Sequence, residues 1–231
     1  MAKGESLTRV AYEQLRGAIL TCHAEPGQRM NIGEWSAHLQ VSPGAVREAL
    51  SRLTAEGLVI AEPQRGFRVV AVSVEDLRAL TDARVTVEDI VVRRSVARGD
   101  VRWETRVVAA HHGLSRTPLA EREAWSRAHA ELHEAVVAAC DNAYLLEMRR
   151  GLYAKSERYR RLSAPLARSK RNVPDEHRAI TDAVLARDGE RAARLLCQHI
   201  EATAQILERG LFSPPAPRGA TSARAVTADA R

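Results

Sequence analysis

The sequence predicts a mainly α-helical protein in two unequal parts, and three observations carry that expectation. Residues 1–71 alternate short helical patterns with one β-rich stretch. Residues 73–210 place apolar side chains at helical spacing almost throughout and show no strand pattern. Residues 211–231 are rich in Pro, Ala and small polar residues and have no apolar periodicity, so they are expected to form a disordered tail. The domains are therefore expected at 1–71, 72–210 and 211–231. At 231 residues the chain is long enough to bury a substantial core without covalent staples.

In the first part, Thr8 is placed to cap a helix carrying Val10, Leu15, Ala18 and Ile19 on one face. The Glu25–Gln28 stretch, with its Pro-Gly pair, breaks that helix. Asn31 caps a second helix, anchored by Ile32, Trp35 and Leu39, and Glu34 follows three residues on as in a capping box. Ser42 caps a third, with Pro43 at the first helical position, where a missing N–H costs nothing. Val46, Ala49, Leu50 and Leu53 form its apolar stripe and Gly57 ends it. Residues 58–62 and 66–72 are strand-like, joined by a tight turn near Pro63–Gly66.

The second part offers six helices. Ser73 caps the first, which runs to about Ala97 with Gly99 as its stop. Asp100 caps the second, to about Leu114, and helices near 119–140, 143–164, 174–187 and 189–208 follow. Asp188 caps the last and Gly210 is placed to end it. Consecutive helices without strands pack as a bundle.

Composition narrows the function classes. No apolar run is long enough to span a bilayer, and the N-terminus lacks the apolar stretch of a secretory signal. Cys22, Cys140 and Cys197 are far apart and form no metal-knuckle spacing, so a reducing, cytoplasmic setting and no membrane partner are expected. Nine aromatic residues are too few for single-strand stacking platforms. The net charge of +6 divides as +1 over 1–71, +3 over 72–210 and +2 over 211–231, so any DNA contact rests on placement of a few arginines rather than on bulk charge. The densest basic run is 147–171, nine Lys+Arg against two Asp+Glu. It reads either as a solvated face or, in part, as the lining of an acid-binding pocket.

Three short helices followed by a hairpin describe a winged helix-turn-helix. The third helix exposes Ser42, Gly44, Arg47, Ser51 and Arg52, and its N-terminus attracts phosphate. Arg47, near the helix start, is placed to reach guanine O6 and N7 in a major groove. Arg52 can equally pair with Glu48 or Glu56 on its own helix. Gln64, Arg65 and Gly66 form the tip of the wing, with Arg68 beyond, where backbone can approach a minor groove or phosphates. The run VSPGAVREALSRLTAEGLV (41–59), then QRGFRV (64–69), strongly resembles the DNA-binding domain of the GntR family. In that family the pattern reads Val-Ser-Arg-Thr-Pro-Val-Arg-Glu-Ala-Leu. Pro43, Gly44 and Ala45 replace its Arg-Thr-Pro, so one usual DNA-contacting arginine is missing, while Arg47 matches the retained one. The resemblance implies a homodimer on double-stranded DNA with an inverted-repeat operator.

In the helical part, His129 and His133 lie four apart on one helix face, with His177 opening a later helix and His199 inside the last. Neutral imidazoles suit Zn²⁺ or Ni²⁺, although two helical histidines four apart are more often solvent-facing or core. The segments AHAELHEAVVAACDNAYL (128–145) and EHRAITDAVLARDGERAARLLCQHIEAT (176–203) resemble the FCD effector domain of the FadR subfamily. That resemblance implies a divalent metal held by His133, His177 and His199, with His129 standing where the family has Asp. It also implies that Arg84 faces the effector pocket, unless Glu88, one turn later, holds it. Ser156, Arg158 and Tyr159 are the expected carboxylate-binding part of the basic run. The sequence is most similar to the carbon-starvation-induced, glutarate-responsive branch, which implies a small dicarboxylate effector. The reading is a ligand-responsive transcriptional regulator, a repressor released by its acid, and not an enzyme. A metal-dependent enzyme would need a general base beside the histidines, and no His-Glu-x-x-His run is present. A DNA-binding protein that senses nothing is the remaining alternative.

Overall fold

The structure, a computed structural model, describes residues 7–163 and 171–212. The expected tail from 213 on and residues 164–170 of the basic run lie outside the described residues.

The N-terminal unit runs α1 (Leu7–Leu20), β1 (Arg29–Met30), α2 (Ile32–Leu39), α3 (Pro43–Ala55), β2 (Val59–Glu62) and β3 (Gly66–Val69). Its capping chemistry follows from sequence. Asn31 accepts the Gly33 N–H at 2.9 Å, and Ser42 Oγ accepts the Ala45 N–H at 3.2 Å. Glu34 departs from the reciprocal box, because its carboxylate takes the Asn31 side-chain amide at 2.8 Å. Gly57 ends α3 in the left-handed region at φ +69°, with Gly57 N–H on the Thr54 carbonyl and Leu58 N–H on that of Leu53. Thr8 does not cap α1. It lies inside the helix and donates to Glu48 at 3.4 Å. The hairpin becomes a three-stranded antiparallel sheet in the order β1-β3-β2, with Arg29 opposite Arg68 and Ile60 opposite Arg68 on the other side. A two-residue strand carries no alternation, so β1 has no signature in sequence. Leu15, Ile19, Val46, Leu50, Leu53, Leu58 and Val69 close one core. Each such buried aliphatic contributes about 1.5–3 kcal/mol.

The second unit runs α4 (Val74–Arg98), α5 (Val101–Arg116), α6 (Arg122–Val137), α7 (Ala143–Ser163), α8 (Val173–Leu185) and α9 (Gly189–Leu207), with a π-helical turn at Glu208–Phe212. Ser73, Asp100 and Asp188 cap α4, α5 and α9 as expected. Gly99 is required for a reason that sequence does not show. Its φ is −60°, but a Cβ there would fall 1.9 Å from the Trp103 ring. Gly210 does not stop the chain's helix, because the π turn carries it on and seats Leu211 and Phe212 beside Leu77, Leu80, Tyr159 and Leu207. The expected tail therefore starts two residues too early. α4 is the central strut, packed on α6, α7 and α9. Among the described residues, no helix is long and apolar enough to cross a membrane.

α7 also touches the N-terminal unit. The Arg158 guanidinium donates to the Val70 carbonyl in the linker, and Cys22 Sγ lies 3.7 Å from the Arg158 carbonyl. α7 thus contacts both the winged unit and its linker, and α4 (Ala83, Thr86, Val87) lines a shared crevice with Arg16, Glu56 and Leu58.

Candidate functional site

The residues expected to face DNA are all open to solvent: Ser42, Gly44, Arg47, Ser51 and Arg52 on α3, and Gln64, Arg65 and Gly66 at the hairpin tip. Gln64 and Gly66 hold φ of +62° and +89°, which makes the tip a tight left-handed turn. Arg47 has no ion-pair partner among the described residues. Arg52 pairs with neither Glu48 nor Glu56. Its guanidinium lies 4.1 Å from the Tyr12 ring centroid, while Glu56 accepts from the Tyr12 hydroxyl at 2.5 Å and Arg16 at 3.1 Å. Arg68 is held by Glu62 at 2.9 Å and the Gly27 carbonyl at 2.7 Å, so it stabilises the wing from behind its tip.

In the bundle, α6 supplies His129 and His133, α8 supplies His177 and α9 supplies His199. All four are buried, and one ligand atom from each falls within 4.8 Å of the others. His129 Nε2 and His133 Nε2 are 3.1 Å apart. Burial holds every one of these imidazoles below its ordinary pKa, neighbouring cations and histidines add to the effect, and His177 is lowered to about 3. The neutral form is the one that offers a lone pair to a metal. His199 Nδ1 lies 2.8 Å from the Glu176 carboxylate, and Arg171 bridges Glu176 and the His199 carbonyl. This is the outer carboxylate–histidine pairing that orients a ligating ring and leaves Nε2 for the ion. Trp125 stacks on His129 with centroids 4.8 Å apart. Among the described residues, His133 Nδ1 and His177 Nε2 are buried without a hydrogen-bond partner. An orphaned buried nitrogen costs about 1–3 kcal/mol, a cost that a bound cation at that nitrogen would remove. The donor set therefore fits a divalent ion such as Zn²⁺ or Ni²⁺.

The histidines open into a cavity of about 780 Å³ walled by all six helices of the bundle, α4 to α9, with His111, Leu114 and Ser115 from α5. His129, His177 and His199 line it, whereas His133 is absent from the wall and lies behind them. Arg84 lines it too. Its Nη1 donates to Ser156 Oγ at 2.8 Å, and its Nε is 3.5 Å from Glu88 and has no hydrogen-bond partner. Glu88 is fully buried and is shared with Arg149 at 3.2 Å, so one carboxylate faces two guanidiniums. Arg149 also donates to the His133 carbonyl at 2.9 Å, which ties this ion pair to the histidine cluster.

The expected α7 set divides. Ser156 faces the cavity. Tyr159 contributes to the wall, but its hydroxyl turns to Asp76 at 2.6 Å. Arg158 does not reach the cavity; it is buried against the linker instead. Helical phase explains the correction. Arg158 lies two residues, about 200°, around the helix from Ser156, whereas Arg160 lies four residues on and shares its face. The same spacing would have found Arg160 and Tyr153, which line the cavity and were missed; Glu157, one residue on from Ser156, lines it too and has no such signal. Arg171 and Trp125 had no local signal, because their place depends on packing between helices.

Comparison with known proteins extends this geometry. A profile of the bacterial GntR regulatory proteins matches residues 7–69, and one of the FCD domain matches 79–202. The uncharacterised HTH-type transcriptional regulator BphR of Paraburkholderia xenovorans is 39% identical over 90% of this chain and 88% of its own length. The transcriptional repressor GlaR of Escherichia coli is 33% identical over 87% and 95%. A crystal structure of a GntR transcriptional regulator from a Rhodococcus species superposes with a TM-score of 0.72 at 29% identity, covering 87% of this chain and 97% of that one. These relatives are regulators, not enzymes. The chain belongs to the GntR family of DNA-binding transcriptional regulators, with a winged helix-turn-helix ahead of an FCD effector domain.

Proposed function

We propose that the protein is a cytoplasmic, homodimeric repressor. It holds one divalent ion, Zn²⁺ or Ni²⁺, through His129, His133, His177 and His199, and binds a carboxylic acid in the adjoining cavity. The observation that carries this reading is a cluster of four buried imidazoles, three of which share one cavity wall with Arg84. A metal with open positions and a guanidinium suit a carboxylate. Arg84 is assigned to the carboxylate, with Ser156 holding its guanidinium and Tyr159 forming wall. Arg47 and Arg65 are assigned to base and backbone contacts, with Ser42, Gly44, Ser51, Arg52, Gln64 and Gly66 at the same surface. A cavity ringed by Arg84, Arg160, Arg161 and Arg171 favours an anion of some kind. The named repressor among the relatives supports repression.

Release of DNA requires the acid to bind the DNA-incompetent arrangement more tightly. Two-fold symmetry of the dimer implies an inverted-repeat operator. The test is a gel shift on DNA upstream of the protein's own gene, with Arg47→Ala beside it, and addition of carboxylic acids with and without EDTA. Specific binding lost in Arg47→Ala and weakened by an acid only in metal-replete protein is the expected result. Binding indifferent to every acid and to EDTA would overturn the sensing part.

A further inference from the structure

The cavity wall changes character along its length, and two helices change together. On α9 the lining residues run from His199 through Ile200 and Ala204 to Leu207, eight residues and about 12 Å of helix. On α4 they run from Arg84 through Thr81 to Leu77, about 10 Å. The two helices are antiparallel with matched levels. Leu77 and Leu207 share one apolar cluster, Arg78 pairs with Glu208, and Cys197 Sγ lies 3.6 Å from the Val85 carbonyl. Both helices therefore put imidazole and guanidinium at one end and leucine at the other. The hydroxyls between are satisfied: Thr81 donates to the Leu77 carbonyl at 2.7 Å, and Thr203 donates to the His199 carbonyl at 3.0 Å and accepts from Arg171 at 2.8 Å.

Charge is arranged to match. At the histidine end, Arg84 shares Glu88 with Arg149 and has an Nε with no hydrogen-bond partner. On α7, Arg160 pairs with Glu157, and Arg161 pairs with Glu123 and Glu157. Both arginines follow Tyr159 on α7, toward the leucine end, and a second carboxylate reaching them would have to displace Glu123 or Glu157. The volume of about 780 Å³ lies in the range that encloses drug-sized ligands and is generous for a four- to six-carbon diacid.

We propose that the cavity selects an elongated monocarboxylic acid. Its carboxylate sits at the imidazole and Arg84 end, and its hydrocarbon body lies along α4 and α9 as far as Leu77 and Leu207. The proposal rests on the acid-binding reading above and departs from the short dicarboxylate that the family resemblance implies. An extended chain of about eight to ten carbons covers that length, given carbon–carbon bonds near 1.5 Å. The body would end beside Tyr159, whose hydroxyl meets Asp76 and Ser73 at the start of α4.

The experiment is calorimetric titration of zinc-loaded full-length protein with straight-chain monocarboxylates from acetate to decanoate, and with dicarboxylates of equal length. Affinity is expected to rise about fourfold per methylene until the wall is filled. Equal-length dicarboxylates are expected to bind at least tenfold more weakly, since their second charge meets leucine and arginines already paired with Glu123 and Glu157. Ala204→Phe, which fills the apolar end, is expected to move the optimum to shorter chains. Affinity independent of chain length, or a dicarboxylate preferred at equal length, would overturn the proposal. The wild-type series decides this even if Ala204→Phe does not fold. A separate arm, acetate against His133→Ala, tests the metal-anchored head. Equal acetate binding there removes the metal from the head without touching the length dependence.

Discussion

Tyr159 donates its hydroxyl to the Asp76 carboxylate at 2.6 Å, in the first turn of α4, while the residue before it, Arg158, donates to the linker carbonyl of Val70. Burial, reinforced by Asp76, holds the Tyr159 phenol above its ordinary pKa, so it remains a donor. One turn of α7 thus grips the linker, and its opposite face, Ser156 and Arg160, lines the cavity. A rotation or shift of α7 on ligand binding would be felt at the winged unit through these two side chains. Arg158→Ala leaves the linker carbonyl without its charged donor. It is expected to cost about 2 kcal/mol and to split a single urea-unfolding transition into two, as the winged unit melts apart from the bundle. An unchanged midpoint with one transition would show that Arg158 does not join the units.

At the DNA surface, Arg47→Ala is expected to weaken operator binding by about 1–3 kcal/mol and to relax base preference at one position in each half-site. Arg65→Ala is expected to weaken binding to all sequences alike and to reduce the salt slope by about 1 per chain. Fluorescence anisotropy across a salt series separates the two. Identical behaviour of both variants would mean that Arg47 reads no base.

For the histidine cluster, elemental analysis of purified protein is expected to give about one divalent ion per chain. EDTA is expected to lower the Tm of the wild type by about 5–15 °C, from a linkage of about 2.7–4.1 kcal/mol and the size of the domain. His133→Ala is expected to carry little metal and to melt at a temperature that EDTA does not change. A His133→Ala protein with undiminished metal would remove that ring from the site.

Beneath the cluster, Arg149 and Glu88 are an ion pair with 2% and 0% exposed side chains. Arg149→Leu leaves the Glu88 carboxylate buried with Arg84 as its remaining cationic neighbour, and is expected to cost about 3–5 kcal/mol by urea denaturation. The double variant Arg149→Leu, Glu88→Leu is expected to recover part of that loss, because the buried carboxylate is removed with its main partner, while Arg84 keeps its hydrogen bond to Ser156. Equal stability of single and double variants would contradict this account.

Local chemistry made much of this protein legible from its residues in order. Ser42 with Pro43 starts α3, Gly57 ends it, and Ser73, Asp100 and Asp188 start three helices of the bundle, because a cap needs only its own next turn. The spacing of His129 and His133 already put two imidazoles on one face, and likeness to a known family supplied His177, His199 and Arg84. What needed the folded chain was everything that depends on a partner far away in sequence. Thr8 is helical because α1 packs on α3, β1 exists because Arg29 and Met30 find β3, and Gly99 is demanded by the Trp103 ring. Arg158 and Arg160 are two residues apart in one basic run, yet one meets the linker and the other the cavity. Charge and composition are alike for the two. The burial and the partner that set a side chain's role come from helices packed against it, and those contacts are settled only when α4, α7 and α9 come together.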